Sequence, residues 1–284
     1  MDTPWQIAGC SVRGASHDRT GLPNQDAIGW RPGRWPILSI ADGHGSAQHF
    51  RSQTGSRLAV EAMLSVLCAF IEGLDPAQPI EKLELAVEDE LRSQLVTTWR
   101  QSVRAHLQEQ PESEAEWSQL TSELGFSGRL LQQKVPELAY GSTVLGVLGS
   151  AHFLLFVQLG DGDILCVSDT GSVSRPFERD RRFAINQTTS LCLEEAALET
   201  RIRLWGAPLP ALVLLSTDGY ANSYASEDEF AEIGPQYLQF IRAHGLDRLE
   251  IELPAVLQEV SRRGSGDDIT LGVLLRGPSS PTPE

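Results

Sequence analysis

The chain has 284 residues, 41% of them hydrophobic and 21% charged, which is enough apolar material to bury a substantial core. Its formal charge of −15, from 23 Lys+Arg against 38 Asp+Glu, repels phosphate backbones and anionic lipid, so neither nucleic acid nor a membrane is an expected partner. Met1-Asp2-Thr3-Pro4-Trp5 lacks a cationic start with an apolar run behind it, no uninterrupted apolar stretch reaches the roughly 18 residues of a membrane span, and the expected location is cytoplasmic.

In chain order, Trp35 to Ile40 is the first short apolar run that reads as a buried strand. Leu58, Ala62, Val66 and Phe70 then recur every four residues and predict a helix from about Thr54 to Ile71. Leu83, Val87, Leu91, Leu95 and Trp99 repeat that stripe in a second helix. The acidic stretch from Glu109 to Glu114 reads as a surface loop, with more helix from about Trp117 to Leu138. Buried strands are expected at Thr143 to Leu148, Phe153 to Leu159, Ile164 to Val167, Leu212 to Leu215 and Ile269 to Leu275. Helices are expected over Asp228 to Arg242 and Asp247 to Arg263. Residues 1–276 read as one domain and 277–284 as a disordered tail. Because strands and helices come in blocks rather than alternating, a mixed antiparallel α+β architecture is favoured over a doubly wound parallel sheet.

Several chemistries are excluded by spelling. Neither lysine, Lys82 or Lys134, follows a glycine loop of the phosphate-gripping kind, and no serine sits between glycines two places to either side. Cys10, Cys68, Cys166 and Cys192 are scattered and read as buried thiols. Gly160-Asp161-Gly162-Asp163 fails as a dinucleotide or calcium loop because Leu165 occupies the decisive position of both patterns.

What remains is a set of aspartates where apolar strands stop or start at a glycine: Asp42, Asp161, Asp218 and Asp267. A carboxylate there is held on a rigid scaffold, and the neighbouring glycine admits a close backbone, metal or ligand. Any one such Asp-Gly is by itself a turn. Four that converge make an all-oxygen site suited to magnesium or manganese rather than zinc.

Asn24-Gln25-Asp26-Ala27, Ala41-Asp42-Gly43-His44-Gly45, Gly141-Ser142-Thr143, Gly160-Asp161-Gly162, Ser216-Thr217-Asp218-Gly219 and Gly266-Asp267-Asp268-Ile269-Thr270 occur in the order and spacing of the protein phosphatase 2C family, which this sequence resembles from about Gly9 to Leu275. The resemblance implies two antiparallel β-sheets packed as a central sandwich, flanked by antiparallel helix pairs, with a two-metal cleft at one end. It implies that Asp42 bridges two Mn2+ or Mg2+ ions, that the Gly43 carbonyl binds one, and that Asp218 and Asp267 complete the other. Asp26 matches an acid that hydrogen-bonds metal-bound water, Asp161 a ligand of a third ion, and His44 the general acid for the departing serine or threonine oxygen. A metal-bridging hydroxide then attacks phosphorus in line. The implied partner is a phosphorylated protein substrate, with a serine/threonine kinase as its counterpart.

Two positions depart from the family. Gly21 stands where an arginine usually clamps the substrate phosphate, and Gln25 replaces an acid. Arg13 or His17 is the expected replacement for the clamp. The span from Asp161 to Asp218 is short, so the flap over the cleft is expected to reduce to parts of Arg175 to Ala207, where Arg175, Arg179, Arg181 and Arg182 could steer acidic phosphopeptides. The alternatives are a catalytically silent phosphatase-like module that binds a phosphoprotein, and a metal-dependent hydrolase of small phosphate esters.

Overall fold

The computed structural model describes residues 5–73, 80–179 and 188–277, and only the backbone of residues 80–87. Chain order begins with β1 (Trp5–Val12), α1 (His17–Thr20), β2 (Ala27–Arg31), β3 (Ile37–Ala41), α2 (Ser52–Gly73), α3 (Ile80–Glu109) and α4 (Glu114–Lys134). It continues through β4 (Val144–Gly149), β5 (Leu154–Leu159), β6 (Asp163–Val167), β7 (Val173–Ser174), α5 (Ala196–Glu199), β8 (Arg201–Trp205) and β9 (Leu212–Ser216). Last come α6 (Asp218–Ala221), α7 (Glu227–Ala231), α8 (Ile233–His244), α9 (Leu246–Arg263) and β10 (Ile269–Arg276).

The strands pair into two antiparallel five-stranded sheets, ordered β1-β10-β9-β6-β7 and β2-β3-β4-β5-β8. They form the expected α+β sandwich. Side-chain alternation along a strand explains the layering. On β3, Leu38 and Ile40 meet Ile164, Val213 and Leu274 of the opposite sheet. Ile37 and Ala41 of the same strand pack with Met63, Leu67 and Trp99 of the helical layer. On the far side, Leu238, Leu253 and Leu257 of α8 and α9 cover Leu212, Leu214 and Leu271. Central strands buried on both faces read as continuous apolar runs, which is why they were visible in the sequence.

Some expectations are corrected. The predicted helix over 228–242 is two helices, because Pro235 lacks an N–H and sits in the first turn of α8, a position that suits a new start. Within α4, Gly125 adopts φ 70° and kinks the helix. Residues 201–205, expected within a reduced flap, form the edge strand β8, paired with β5 through Phe156 opposite Arg203. Cys166 and Cys192 are buried, while Cys10 and Cys68 are only half-buried. By length and composition α2 could cross a membrane, yet its apolar side packs on the sheet as Leu58, Met63 and Leu67, as in a core helix. The tail from Pro278, together with Arg181, Arg182 and the side chains of Leu83 and Val87, lies outside the described residues.

Phe156 is fully buried between the sheets, edge-on to Trp205 at 6.1 Å. Truncation there leaves a cavity in the layer that both sheets share. We expect Phe156→Ala to lower the unfolding free energy by about 3–5 kcal/mol, read from urea denaturation.

Candidate metal centre

Strand register places the aspartates. Asp42 follows the end of β3, and Asp26 precedes β2, whose Ala27 pairs with Ala41. Asp218 follows the end of β9. Asp267 precedes β10, whose Leu271 pairs with Ser216. Asp163, just after the Gly160-Asp161-Gly162 turn that carries the chain from one sheet to the other, pairs with Ser216 as well. Antiparallel pairing therefore brings all five to one end of the sandwich. Asp42, Asp161, Asp218 and Asp267 line a single cleft of about 730 Å³ there.

The carboxylates press on one another. Burial first, and then the charges of Asp26 and Asp218, drive the Asp42 carboxyl well above the usual range. Burial also raises Asp26, although Thr217 and Thr270 each donate to its Oδ2 at 2.8 Å. Asp161 is pushed up to about 6 by burial and then by Asp218, and Asp267 is raised by the same two causes. Like charges gathered out of water repel one another unless protons or cations enter. Among the described residues lining the cleft there is no arginine or lysine.

That donor set fits divalent metal: it is all oxygen, negative and in need of positive charge. Among the described residues no three His, Cys, Asp or Glu side chains are already closed into a finished ion cage, so the carboxylates are gathered without being locked. The backbone around Asp42 is fixed more firmly. Its N–H donates to Thr143 Oγ1 at 3.1 Å, and its carbonyl accepts from the Thr143 N–H at 2.8 Å and the Ser142 hydroxyl at 2.9 Å. At Gly43 a Cβ would lie 2.6 Å from the carbonyl oxygens of both Gln25 and Ser52, so a larger residue would push the strand end out of place.

His44 lines the cleft, donates its N–H to the Gly141 carbonyl at 3.1 Å and stacks edge-on to His49 at 4.9 Å. Burial, then His49, pushes its imidazole down to about 3. Its buried Nε2 has no hydrogen-bond partner among the described residues.

Of the two expected phosphate-clamp replacements, only His17 lines the cleft. Arg13 is instead engaged within its own loop: Nε donates to the Leu22 carbonyl at 2.6 Å, Nη1 to Asp18 at 3.0 Å, and Nη2 to the His17 carbonyl. It fastens the loop that carries His17. His17 Nδ1 lies 3.1 Å from Asp268 Oδ1, a close ionic approach without hydrogen-bond alignment. Gly21, at the clamp position, ends α1 with φ 74°, and its N–H donates to the His17 carbonyl at 2.8 Å. Gln25 donates its amide to Ser52 Oγ at 2.7 Å, so this neutral residue serves as an internal brace. Arg175 and Arg179, expected to steer substrate, bind the buried carboxylate of Asp163, Arg175 at 3.2 Å, and Arg179 also reaches Glu227 at 3.1 Å.

Asp268 was not singled out in the sequence. Its two oxygens accept the N–H groups of Gly14 at 2.6 Å and Gln25 at 2.7 Å, tying the loop after β1 to the start of β10. Its only signal was adjacency to Asp267. His49 was missed too, although its Nδ1 meets the Leu138 carbonyl and its ring packs on His44.

A carboxyl whose folded pKa is raised contributes stability that is fully present below the unfolded value and is lost as pH rises through the folded one. For Asp161 that window runs from 3.8 to about 6. With divalent ions removed by EDTA, Asp161→Asn should match wild type near pH 4 and exceed it by on the order of 1–2 kcal/mol at about pH 8, measured by urea denaturation.

The sequence matches the family model described as Protein phosphatase 2C over residues 13–258. No curated protein matches it. Among solved structures it resembles a bacterial serine phosphatase at 14% identity, covering 98% of this chain and 100% of that one, with a TM-score of 0.61. The serine/threonine phosphatase Stp1 from Staphylococcus aureus is 14% identical, with 98% and 96% covered and a TM-score of 0.61. The catalytic domain of the serine/threonine protein phosphatase PstP, solved in complex with two manganese ions, is 16% identical, with 95% and 97% covered and a TM-score of 0.56. At these identities the solved structures speak for the fold, while the family match, which spans most of the chain, establishes that this protein belongs to the protein phosphatase 2C family.

Proposed function

We propose that the chain is a manganese- or magnesium-dependent phosphatase that removes phosphate from phosphoserine and phosphothreonine in proteins. The observation that carries this reading is the convergence of Asp26, Asp42, Asp218 and Asp267 at one strand end, with Asp42 and Asp26 held well above the normal carboxylate range and no arginine or lysine among the described lining residues. Asp42, the Gly43 carbonyl, Asp218 and Asp267 are the residues that would hold two ions, with Asp161 available to a third. When bound, such ions supply Lewis-acid charge for the phosphoryl oxygens and lower the pKa of a water that serves as nucleophile.

The protein's own groups do the rest. Asp26 is fixed by the hydroxyls of Thr217 and Thr270, which orient its carboxylate toward the cluster it repels. His17, which lies 3.1 Å from Asp268 on the cleft wall, would meet a phosphate oxygen in the absence of the family's arginine. His44 offers an unpartnered Nε2 at the cleft wall. Burial disfavours its charged form, and the role of general acid requires that the ring carry a proton toward the leaving oxygen when substrate is bound.

Purified protein should hydrolyse p-nitrophenyl phosphate with manganese, and EDTA should stop it. Asp42→Asn or Asp218→Asn should cut kcat by about 10³-fold or more, since each removes several kcal/mol of metal-derived stabilisation. Manganese binding seen by calorimetry without turnover would instead fit the silent module.

His44→Ala should slow a phosphoserine peptide much more than p-nitrophenyl phosphate, whose leaving group needs no proton. His17→Ala should raise KM about tenfold, the scale of one charged hydrogen bond, with a smaller effect on kcat. Equal slowing of both esters by His44→Ala, or an unchanged KM in His17→Ala, would remove these roles.

A further inference from the structure

A second groove, of about 510 Å³, opens directly off the carboxylate cleft; the two share Leu22, Gln25, Gly45 and Ser46 in their walls. We propose that this groove holds the polypeptide flanking the phosphorylated residue of a protein substrate, and that its wall on α4 favours a lysine or arginine in that flank. The proposal rests on the phosphoprotein phosphatase reading above and adds to it a class of preferred sequence.

A phosphoserine side chain that reaches the aspartates leaves its backbone at the cleft rim, and the chain must run out along the surface. The second groove supplies such a path. One side is the segment around Leu22 and Pro23, and the other is the end of α3 with the first turns of α4.

The groove's charge is set by a saturated arginine. All five N–H donors of Arg51 are engaged: Nε and Nη2 bind the two Glu116 oxygens at 2.7 and 2.9 Å. Nη1 binds the Gln110 carbonyl at 2.6 Å and the Tyr140 hydroxyl at 2.8 Å, and Nη2 also binds the Pro111 carbonyl at 3.1 Å. Arg51 therefore neutralises Glu116 and has no donor left for an acidic ligand. Glu116 is fixed in turn by the capping box that starts α4, in which Ser113 donates to Glu116 Oε2 and accepts from its N–H. The wall is thus rigid before any ligand arrives.

Further along α4, the exposed Glu123 accepts only the Gln119 amide at 3.1 Å, and no cation pairs with it among the described residues. The neighbouring His106 is held toward its neutral form by burial and then by Arg51. The groove is left with one uncompensated carboxylate, on a protein whose overall charge is −15. A cationic side chain complements it and a carboxylate or a second phosphate is repelled.

The test uses the full chain with manganese. Its substrates are p-nitrophenyl phosphate and phosphoserine peptides carrying one arginine or one glutamate at successive positions on either side of the phosphoserine. At one position or two adjacent positions on one side, arginine should raise kcat/KM over glutamate by about two- to fivefold at low salt, the scale of an exposed ion pair. That ratio should fall toward one at high ionic strength and in Glu123→Lys, with Glu123→Gln between, while p-nitrophenyl phosphate turnover stays unchanged in both variants. Glu123 is exposed on a helix surface, so these substitutions leave the core untouched. Equal kcat/KM for arginine and glutamate peptides at every position, or a ratio that survives Glu123→Lys, overturns the groove assignment and leaves the phosphatase reading standing. Failure to turn over p-nitrophenyl phosphate overturns that reading, and the groove assignment with it.

Discussion

Crowding of carboxylates at one end of the sandwich is the interaction on which the rest of this structure turns. Nothing in the packing of two sheets requires four aspartates to meet at one end, where burial first and then the neighbouring charges raise Asp42 and Asp26 well above the normal range. Each acid sits beside a strand terminus, and two of them are braced by hydrogen bonds from residues distant in sequence. Thr217 and Thr270 hold Asp26, while Ser142 and Thr143 hold the backbone of Asp42. A cluster costly to assemble and carefully supported is what a hard cation would repay.

Beside this cluster the loop after β1 is tied together by hydrogen bonds. The position of the usual arginine is Gly21, which ends a one-turn helix, and that helix presents His17. Arg13 closes the same loop, and Asp268 ties it to β10 through Gly14 and Gln25. Gln25, which stands where the family carries an acid, is tied into the core through Ser52, and its carbonyl accepts from Ser56 at 2.5 Å. These residues form one connected hydrogen-bonded assembly.

Much of the fold was legible because the central strands are buried on both faces and spell unbroken apolar runs, as in Leu154 to Leu159. Edge and outer strands were not. In β8, Arg201-Ile202-Arg203-Leu204-Trp205 alternates charge with apolar residues and reads as loop. In β2 and β1, Gly29 and Gly9 interrupt the pattern where Val60 of α2 and the β10 backbone come close. The aspartates were legible because each adjoins a glycine. Asp268 was not, since its partners Gly14 and Gln25 lie 254 and 243 residues away. The local hydrogen bonds of Arg13 to Asp18, His17 and Leu22 were not legible either, since a sequence displays proximity without showing where donors point.

Anomalous diffraction from a crystal soaked in manganese tests the central claim most directly. The account predicts ions seated between Asp42, Asp218 and Asp267, with the Gly43 carbonyl in contact with one of them. Manganese found elsewhere on the surface, with those three carboxylates sharing no ion, would contradict it.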